Sequence, residues 1–143
     1  MSYSSDNVFA KILAGDLPAH EVYRDDHSLA FMDLMPQAPG HTLVIPTAPG
    51  ENLFDLPTEA LQHTIATSQR VARAVKTAFD AEGIMIAQLN GAAAGQTVFH
   101  LHFHIIPRSS GADFGIHARD MEDGDVLAGH ASRIIAALEN PNG

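Results

Sequence analysis

The chain has no cysteine among its 143 residues. That absence excludes disulfides, zinc sites built on thiolates and a cysteine nucleophile, and it is compatible with a reducing compartment. Basic residues are few: eight lysines and arginines stand against seventeen aspartates and glutamates, a formal net charge of −9. Non-specific nucleic-acid binding needs a positive footprint, so no nucleic-acid partner is expected, and any bound phosphate must be held by local donors. Long apolar runs are missing too. No stretch approaches the roughly 20 apolar residues of a membrane span. Met1 to Asn7 also lacks the basic segment and apolar core of a secretory signal. The expectation is a cytoplasmic protein with no membrane partner. Repeats and low-complexity segments are absent, and Pro/Gly breaks punctuate the chain without a long linker.

What is present suits one domain. Hydrophobic residues make up 45% of the chain and charged residues 17%, the proportions of an ordinary globular protein. A chain of this size buries about two-thirds of its unfolded surface without covalent staples. Residues 1–143 are read as a single domain, with a flexible N-terminus over 1–7 and a C-terminal extension over 107–143.

Val8 to Ala14 predicts a short helix with Phe9, Ile12 and Leu13 on one face, ended by Gly15 at the position after its cap. Glu21 to Arg24 and Leu29 to Met32 predict a hairpin turned at Asp25-Asp26, which leaves Asp33 at a strand end. Leu34 to Gly40 is a loop, and His41 to Ile45 is a β-rich run stopped by Pro46. Pro57 suits a first helical position. Leu61, Ile65, Ala72, Val75 and Phe79 then recur at helical spacing, so Pro57 to Asp80 predicts the main helix. Ile84 to Leu89 and Val98 to Ile106 are further strands, and Asp125 is placed to cap a last helix carrying Leu127, Ala131, Ile134 and Leu138. The expected class is α+β, with about five strands in a largely antiparallel sheet, one long helix, and short N- and C-terminal helices.

The run His100-Leu101-His102-Phe103-His104-Ile105-Ile106 carries the chemistry. On a strand, side chains alternate, so His100, His102 and His104 share one face while Leu101, Phe103 and Ile105 share the core face. Three imidazoles at steps of roughly 7 Å can each serve as nucleophile, acid, base or donor near neutral pH. Three uses compete: a solvated polar face, a metal site of His-x-His type, or nucleophilic catalysis by a histidine whose neighbours fix its tautomer. Just upstream lies Asn90-(x)4-Gly95-Gln96-Thr97. Glycines there let backbone approach a ligand, and the amide and hydroxyl side chains can donate to phosphate oxygens. Coupled to the histidines, the stretch describes a phosphate cradle beside a nucleophile.

At this point the chain resembles the histidine triad (HIT) family, whose motif His-φ-His-φ-His-φ-φ is matched at every position from His100 to Ile106. The similarity extends over Val8 to Arg108, through Phe9-x-Lys11-Ile12, Leu17-Pro18, Ala30-Phe31-x-Asp33, Pro36-Gln37-Ala38-Pro39-x-His41 and Leu43-Val44-Ile45-Pro46. These segments are most similar to the Hint-type branch. The resemblance implies a HIT-like fold and a hydrolase or transferase in which His102 attacks the α-phosphorus of a nucleotide, with His100 and His104 in support and His41 close by. It also implies that Asp33 takes the ribose hydroxyls and that Phe9, Ile12, Leu17, Phe31 and Leu34 wall the base pocket. Asn90, Gln96 and Thr97 would contact the phosphate or leaving group.

A purine nucleoside phosphoramidate is the implied substrate, with a dinucleoside polyphosphate as the alternative suggested by the longer C-terminal tail. A nucleotide-binding regulator with incidental activity and a metal-dependent hydrolase are the readings from other classes. Some bacterial relatives hold structural zinc with a Cys-x-x-Cys pair in the first helix and a histidine after the third strand. The corresponding residues here are Asn7, Ala10 and Pro49, so no zinc and no cofactor are expected. Arg108 is read as a surface residue or a contact for a distal phosphate. His20, His27, His63, His117 and His130 are read as surface residues. Family members form homodimers, which makes a homodimer the expected assembly, with the apolar faces of the first and long helices available to it.

Overall fold

Helix α1 spans Val8–Leu13 in a computed structural model that describes residues 3–111, 115, 118 and 120–140. Asn7 caps it by accepting from the Ala10 amide at 2.9 Å, satisfying one of the donors a helix start leaves over. It ends as expected at Gly15, whose φ of +83° lets Asp16 donate back to the Lys11 carbonyl at 2.9 Å. The chain then builds β1 (Glu21–Arg24), β2 (Ser28–Met32), β3 (Thr42–Pro46), α2 (Thr58–Ala78), β4 (Gly83–Ala87), β5 (Phe103–Arg108) and α3 (Gly124–Glu139). The five strands form one sheet in the order β1-β2-β3-β5-β4, and every neighbouring pair is antiparallel. The mixed α+β class with a five-stranded antiparallel sheet is the one the sequence predicts.

Both faces of the sheet are covered, which is why β2 and β3 are buried throughout and read as continuous apolar runs. On one face Ala30, Met32, Val44, Phe103 and Ile105 pack with Val71 and Val75 of α2 and with Leu127 and Ile134 of α3. On the other, Leu29, Phe31, Leu43 and Ile45 pack with Phe9 and Ile12 of α1. Each large side chain removed from water here contributes about 1.5–3 kcal/mol. The inner face of α2 also buries Thr64, Thr67 and Ser68. Their hydroxyls are satisfied by the Ala60 carbonyl, by Ser28 Oγ at 2.6 Å and by the Thr64 carbonyl respectively.

Several boundaries differ from expectation for local reasons. Helix α2 stops at Ala78, because Asp80 takes a φ of +48° while the Asp80 and Ala81 amides turn back to Thr77 and Lys76. The cap of α3 is Asp123, which accepts from the Asp125 amide at 2.8 Å, so Asp125 lies inside the first turn. Most consequentially, β5 begins at Phe103 and not at Val98. The Leu101 amide donates to the Gly50 carbonyl at 2.9 Å, and the Val98 carbonyl accepts from Gln96 Nε2 at 3.0 Å. Those bonds draw residues 98–102 out of the ladder, so His100 and His102 precede the strand rather than sit on it.

Candidate active site

In the sheet His104 stands opposite Leu43 on β3 and Ala87 on β4, on the same face as Leu43 and Phe31. This is the α1 face, and the triad opens into it. A pocket of about 400 Å³ lies there, lined by His102, His104, Thr97, Asp33, Leu34, Phe9, Ile12 and Phe31 together with Met35, Ala118 and Met121. None of the three triad histidines is solvated: His100 is fully buried, and His102 and His104 are 4% and 2% exposed. The polar-face alternative therefore does not describe them.

The tautomer of each ring follows from its partners. Gln37 donates its backbone N–H to His41 Nδ1 at 3.0 Å, so the His41 proton sits on Nε2. That Nε2 lies 3.0 Å from His104 Nδ1 and 3.4 Å from Asp33 Oδ2. His104 thus accepts at Nδ1 and carries its own proton on Nε2. His102 presents Nδ1 to the His100 carbonyl at 2.7 Å, a contact only an N–H can make, which puts the His102 lone pair on Nε2. Phe9 packs edge-on against the His102 ring, with centroids 4.9 Å apart, and His104 lies 5.0 Å away in the same manner.

His100 is held at both ends: its Nε2–H donates to the Pro46 carbonyl at 2.9 Å and its Nδ1 accepts from Tyr3 Oη at 2.6 Å. Burial pushes its pKa below the usual histidine range, partly offset by the bond to Pro46. It stays neutral, as a ring that donates from one nitrogen and accepts at the other must. Within the segment 1–7, Tyr3 thus reaches His100, and Asn7 joins Tyr3 to the start of α1.

Asp33, His41 and His104 bring three potential ligand atoms within 4.8 Å of one another. A metal-binding imidazole presents a bare nitrogen to the ion and donates from the other. His41 has the reverse arrangement, because the Gln37 N–H occupies Nδ1 and leaves a proton on Nε2. The trio is built as a hydrogen-bond relay. Gly40 sets the entry to His41: its φ is +94°, and a Cβ there would lie 2.7 Å from the Phe79 ring.

Not every expected residue reaches the pocket. Leu17 is exposed and lies outside the wall, where Pro18 and Ala19 stand instead. Asn90 and Gln96 also lie outside it and organise the loop. Asn90 Oδ1 accepts from the Leu53 amide at 2.8 Å, and Gln96 bridges the Gly91 amide, the Glu51 carbonyl and the Val98 carbonyl. His41 and His100 sit behind the lining residues. Arg108 is engaged by the Gly115 carbonyl. His27 and His63 stack with centroids 3.7 Å apart; His130 is half-buried against Phe79; His117 lies outside the described residues.

The sequence reading missed Tyr3, Met35, Ala118 and Met121. Tyr3 is 97 positions from its partner His100, and no spacing rule spans such a gap. The tail reaches the pocket because the Glu122 amide donates to the Leu34 carbonyl at 2.8 Å.

The HIT domain model matches residues 14–111. The chain is 40% identical over 131 residues to the protein called hit of Bacillus subtilis, covering 88% of this chain and 90% of that one. It is 36% identical over 135 residues to adenosine 5′-monophosphoramidase HNT1 of Saccharomyces cerevisiae, covering 92% and 82%. Among solved structures, a Hit-like protein involved in cell-cycle regulation from Bartonella henselae superposes with a TM-score of 0.90 at 48% identity, over 96% of this chain and 99% of that one. With the triad, the sheet and these likenesses together, the chain belongs to the HIT domain family of nucleotide-processing hydrolases.

Proposed function

We propose that the protein hydrolyses purine nucleoside phosphoramidates through a nucleotidyl intermediate on His102. The observation that carries the reading is the 2.7 Å contact from His102 Nδ1 to the His100 carbonyl, because it orients the Nε2 lone pair as a nucleophile requires. In the first step Nε2 bonds to the α-phosphorus as the bond to the leaving amine breaks, and the amine departs with the proton of His104 Nε2–H, which the attacking water replaces in the second step. Water then attacks the same phosphorus, the bond to Nε2 breaks, and nucleoside monophosphate leaves. The His104 Nε2–H is a donor for a phosphoryl oxygen or the departing nitrogen, and a covalent intermediate lets one imidazole serve both halves. No metal or cofactor enters this scheme. Asp33 accepts from the ribose hydroxyls, and Phe9, Ile12, Phe31 and Leu34 pack on the base. The 36% identity to the yeast adenosine 5′-monophosphoramidase supports the substrate class.

A dinucleoside polyphosphate is the second substrate class; the Gly115 carbonyl takes one N–H of the Arg108 guanidinium that would greet a distal phosphate. We also propose a cytoplasmic homodimer. No helix among the described residues is long and apolar enough to cross a membrane. Strand β4 is a sheet edge, and Ile86 on it and Ile65 on α2 are both well exposed beside an apolar groove. The apolar face of α1, by contrast, is used inside its own subunit.

The test is turnover of a fluorogenic adenosine phosphoramidate. His102→Ala should abolish it, and mass spectrometry of a slow variant with substrate should show one nucleotidyl adduct on His102. Undiminished turnover in His102→Ala sinks the mechanism. Faster cleavage of a dinucleoside polyphosphate in a side-by-side assay favours the second class.

A further inference from the structure

The nucleophile lies in a part of the chain that the sheet does not hold. Regular pairing begins only at Phe103, so His102 and the His100 carbonyl that fixes its tautomer both precede the ladder. Other contacts must therefore set the position of that carbonyl. One is the Leu101 amide on the Gly50 carbonyl at 2.9 Å. Others are made by the His100 side chain. Its Nε2–H is fastened to Pro46, the last residue of β3, and its Nδ1 to the hydroxyl of Tyr3 at 2.6 Å.

We propose that Tyr3 is a positioning residue for the nucleophile His102, acting through His100. This rests on the reading of His102 as nucleophile given above. The tyrosine is itself held in place. Asn7 Nδ2 donates to Tyr3 Oη at 3.1 Å and to the Ser4 carbonyl at 2.7 Å, while Asn7 Oδ1 caps α1. The phenol therefore accepts from Asn7 and donates to His100, and its one proton has a single direction to point. The Tyr3 ring also meets the His100 ring edge-on, with centroids 5.6 Å apart. Helix α1 joins the same chain of contacts, because Phe9 on it packs against His102. The N-terminal segment thus grips the nucleophile twice, through a ring on α1 and through a hydroxyl on the residue whose carbonyl orients it.

Removing the hydroxyl leaves His100 Nδ1 without its donor and lets the ring swing about its bond to Pro46. The carbonyl that receives His102 Nδ1–H moves with it. Misorientation of a nucleophile is felt in the transition state more than in substrate binding, so the effect falls on kcat.

The experiment compares the full chain with Tyr3→Phe, which keeps the ring and its edge contact, and with Asn7→Asp, which keeps the cap oxygen and removes the donor to Tyr3. Imidazole ¹⁵N shifts of His100 and His102 read the tautomers directly, and steady-state kinetics on the adenosine phosphoramidate reads the consequence. Tyr3→Phe should move the His100 Nδ1 signal, mix the two tautomers of His102, and lower kcat about tenfold with KM within about twofold. Asn7→Asp should shift the same signals by less. If Tyr3→Phe leaves both the His102 tautomer and kcat unchanged, even with a lowered melting temperature, Tyr3 is only a tether and the proposal is overturned. Should the wild-type protein fail to turn over phosphoramidates, the substrate reading fails, and the His102 tautomer in Tyr3→Phe still decides the role of Tyr3.

Discussion

His41 Nε2 lies 3.0 Å from His104 Nδ1, with the two residues 63 positions apart in the chain. The Gln37 amide on His41 Nδ1 gives this contact one direction, from His41 to His104. A His41→Ala change removes the group that keeps the His104 proton on Nε2. Since general acid–base groups contribute about 10²–10⁴ in rate, loss of the orienting partner should lower kcat about 10²-fold. Leaving the Gln37 N–H and His104 Nδ1 unmatched should also cost about 1–3 kcal/mol of stability. Kinetics and urea melts of the variant measure both, and an unchanged kcat contradicts the relay.

Asp33 divides its carboxylate between two tasks. Oδ1 accepts from the Met35 amide at 2.9 Å, and Oδ2 faces His41 at 3.4 Å on the pocket wall. The test variant is Asp33→Asn, whose amide keeps one acceptor for Met35 but loses the charge that favours two hydroxyls. A hydrogen bond to a charged group is worth about 1.5–3 kcal/mol. The preference for a ribonucleotide over its 2′-deoxy counterpart should therefore shrink by roughly tenfold to a hundredfold, read as a ratio of kcat/KM values. A ratio that does not move removes Asp33 from ribose recognition.

Met121 is 71% exposed yet lines the pocket beside Leu34 and Met35. The Glu122 amide next to it is pinned to the Leu34 carbonyl, so the side chain is held over the rim. A thioether has little to offer a phosphate or a ribose hydroxyl, but it packs well on the face of a base. Met121→Ala should raise KM about three- to tenfold with kcat unchanged, the effect of roughly 1 kcal/mol of lost apolar contact. Equal losses in kcat and kcat/KM would assign the tail to the leaving-group side instead.

Stability should fall on acidification. The pKa of His100 is lowered chiefly by burial, and that of His130 by burial and then by the charge of Arg133, against a smaller opposing pull from Glu122. Both groups sit below their ordinary value of 6.5 in the folded protein, so the unfolded chain binds protons first as the pH drops. Their contribution is complete above that value and drains away as the pH falls toward the depressed folded values. Urea midpoints should decline between about pH 7.5 and pH 5.5, and the decline should be shallower in His130→Gln, which never charges. Identical slopes in the two proteins would show that His130 titrates alike in both states.

Much was legible in the sequence because it depends on neighbours along the chain. Backbone alternation placed Leu101, Phe103 and Ile105 in the core, helical spacing found α2, and Gly15 marked the end of α1. The seven-residue histidine run carried the family because its chemistry is local to one segment. The same alternation overextended β5, since it could not anticipate that Gly50 would take the Leu101 amide and pull residues 98–102 off the ladder.

The residue types at the site, the absence of thiol chemistry and the order of elements were determined by the sequence by itself. Only the tertiary structure decided which nitrogen of His41 and of His100 holds its proton, because that depends on Gln37, Pro46 and Tyr3 arriving from three separate segments. It alone joined Asn90 to the Leu53 amide and Gln96 to the Gly91 amide, and brought Met121 to the pocket. The physical reason is the same in each case: a buried donor or acceptor must be matched, and its match comes from whatever the fold packs beside it.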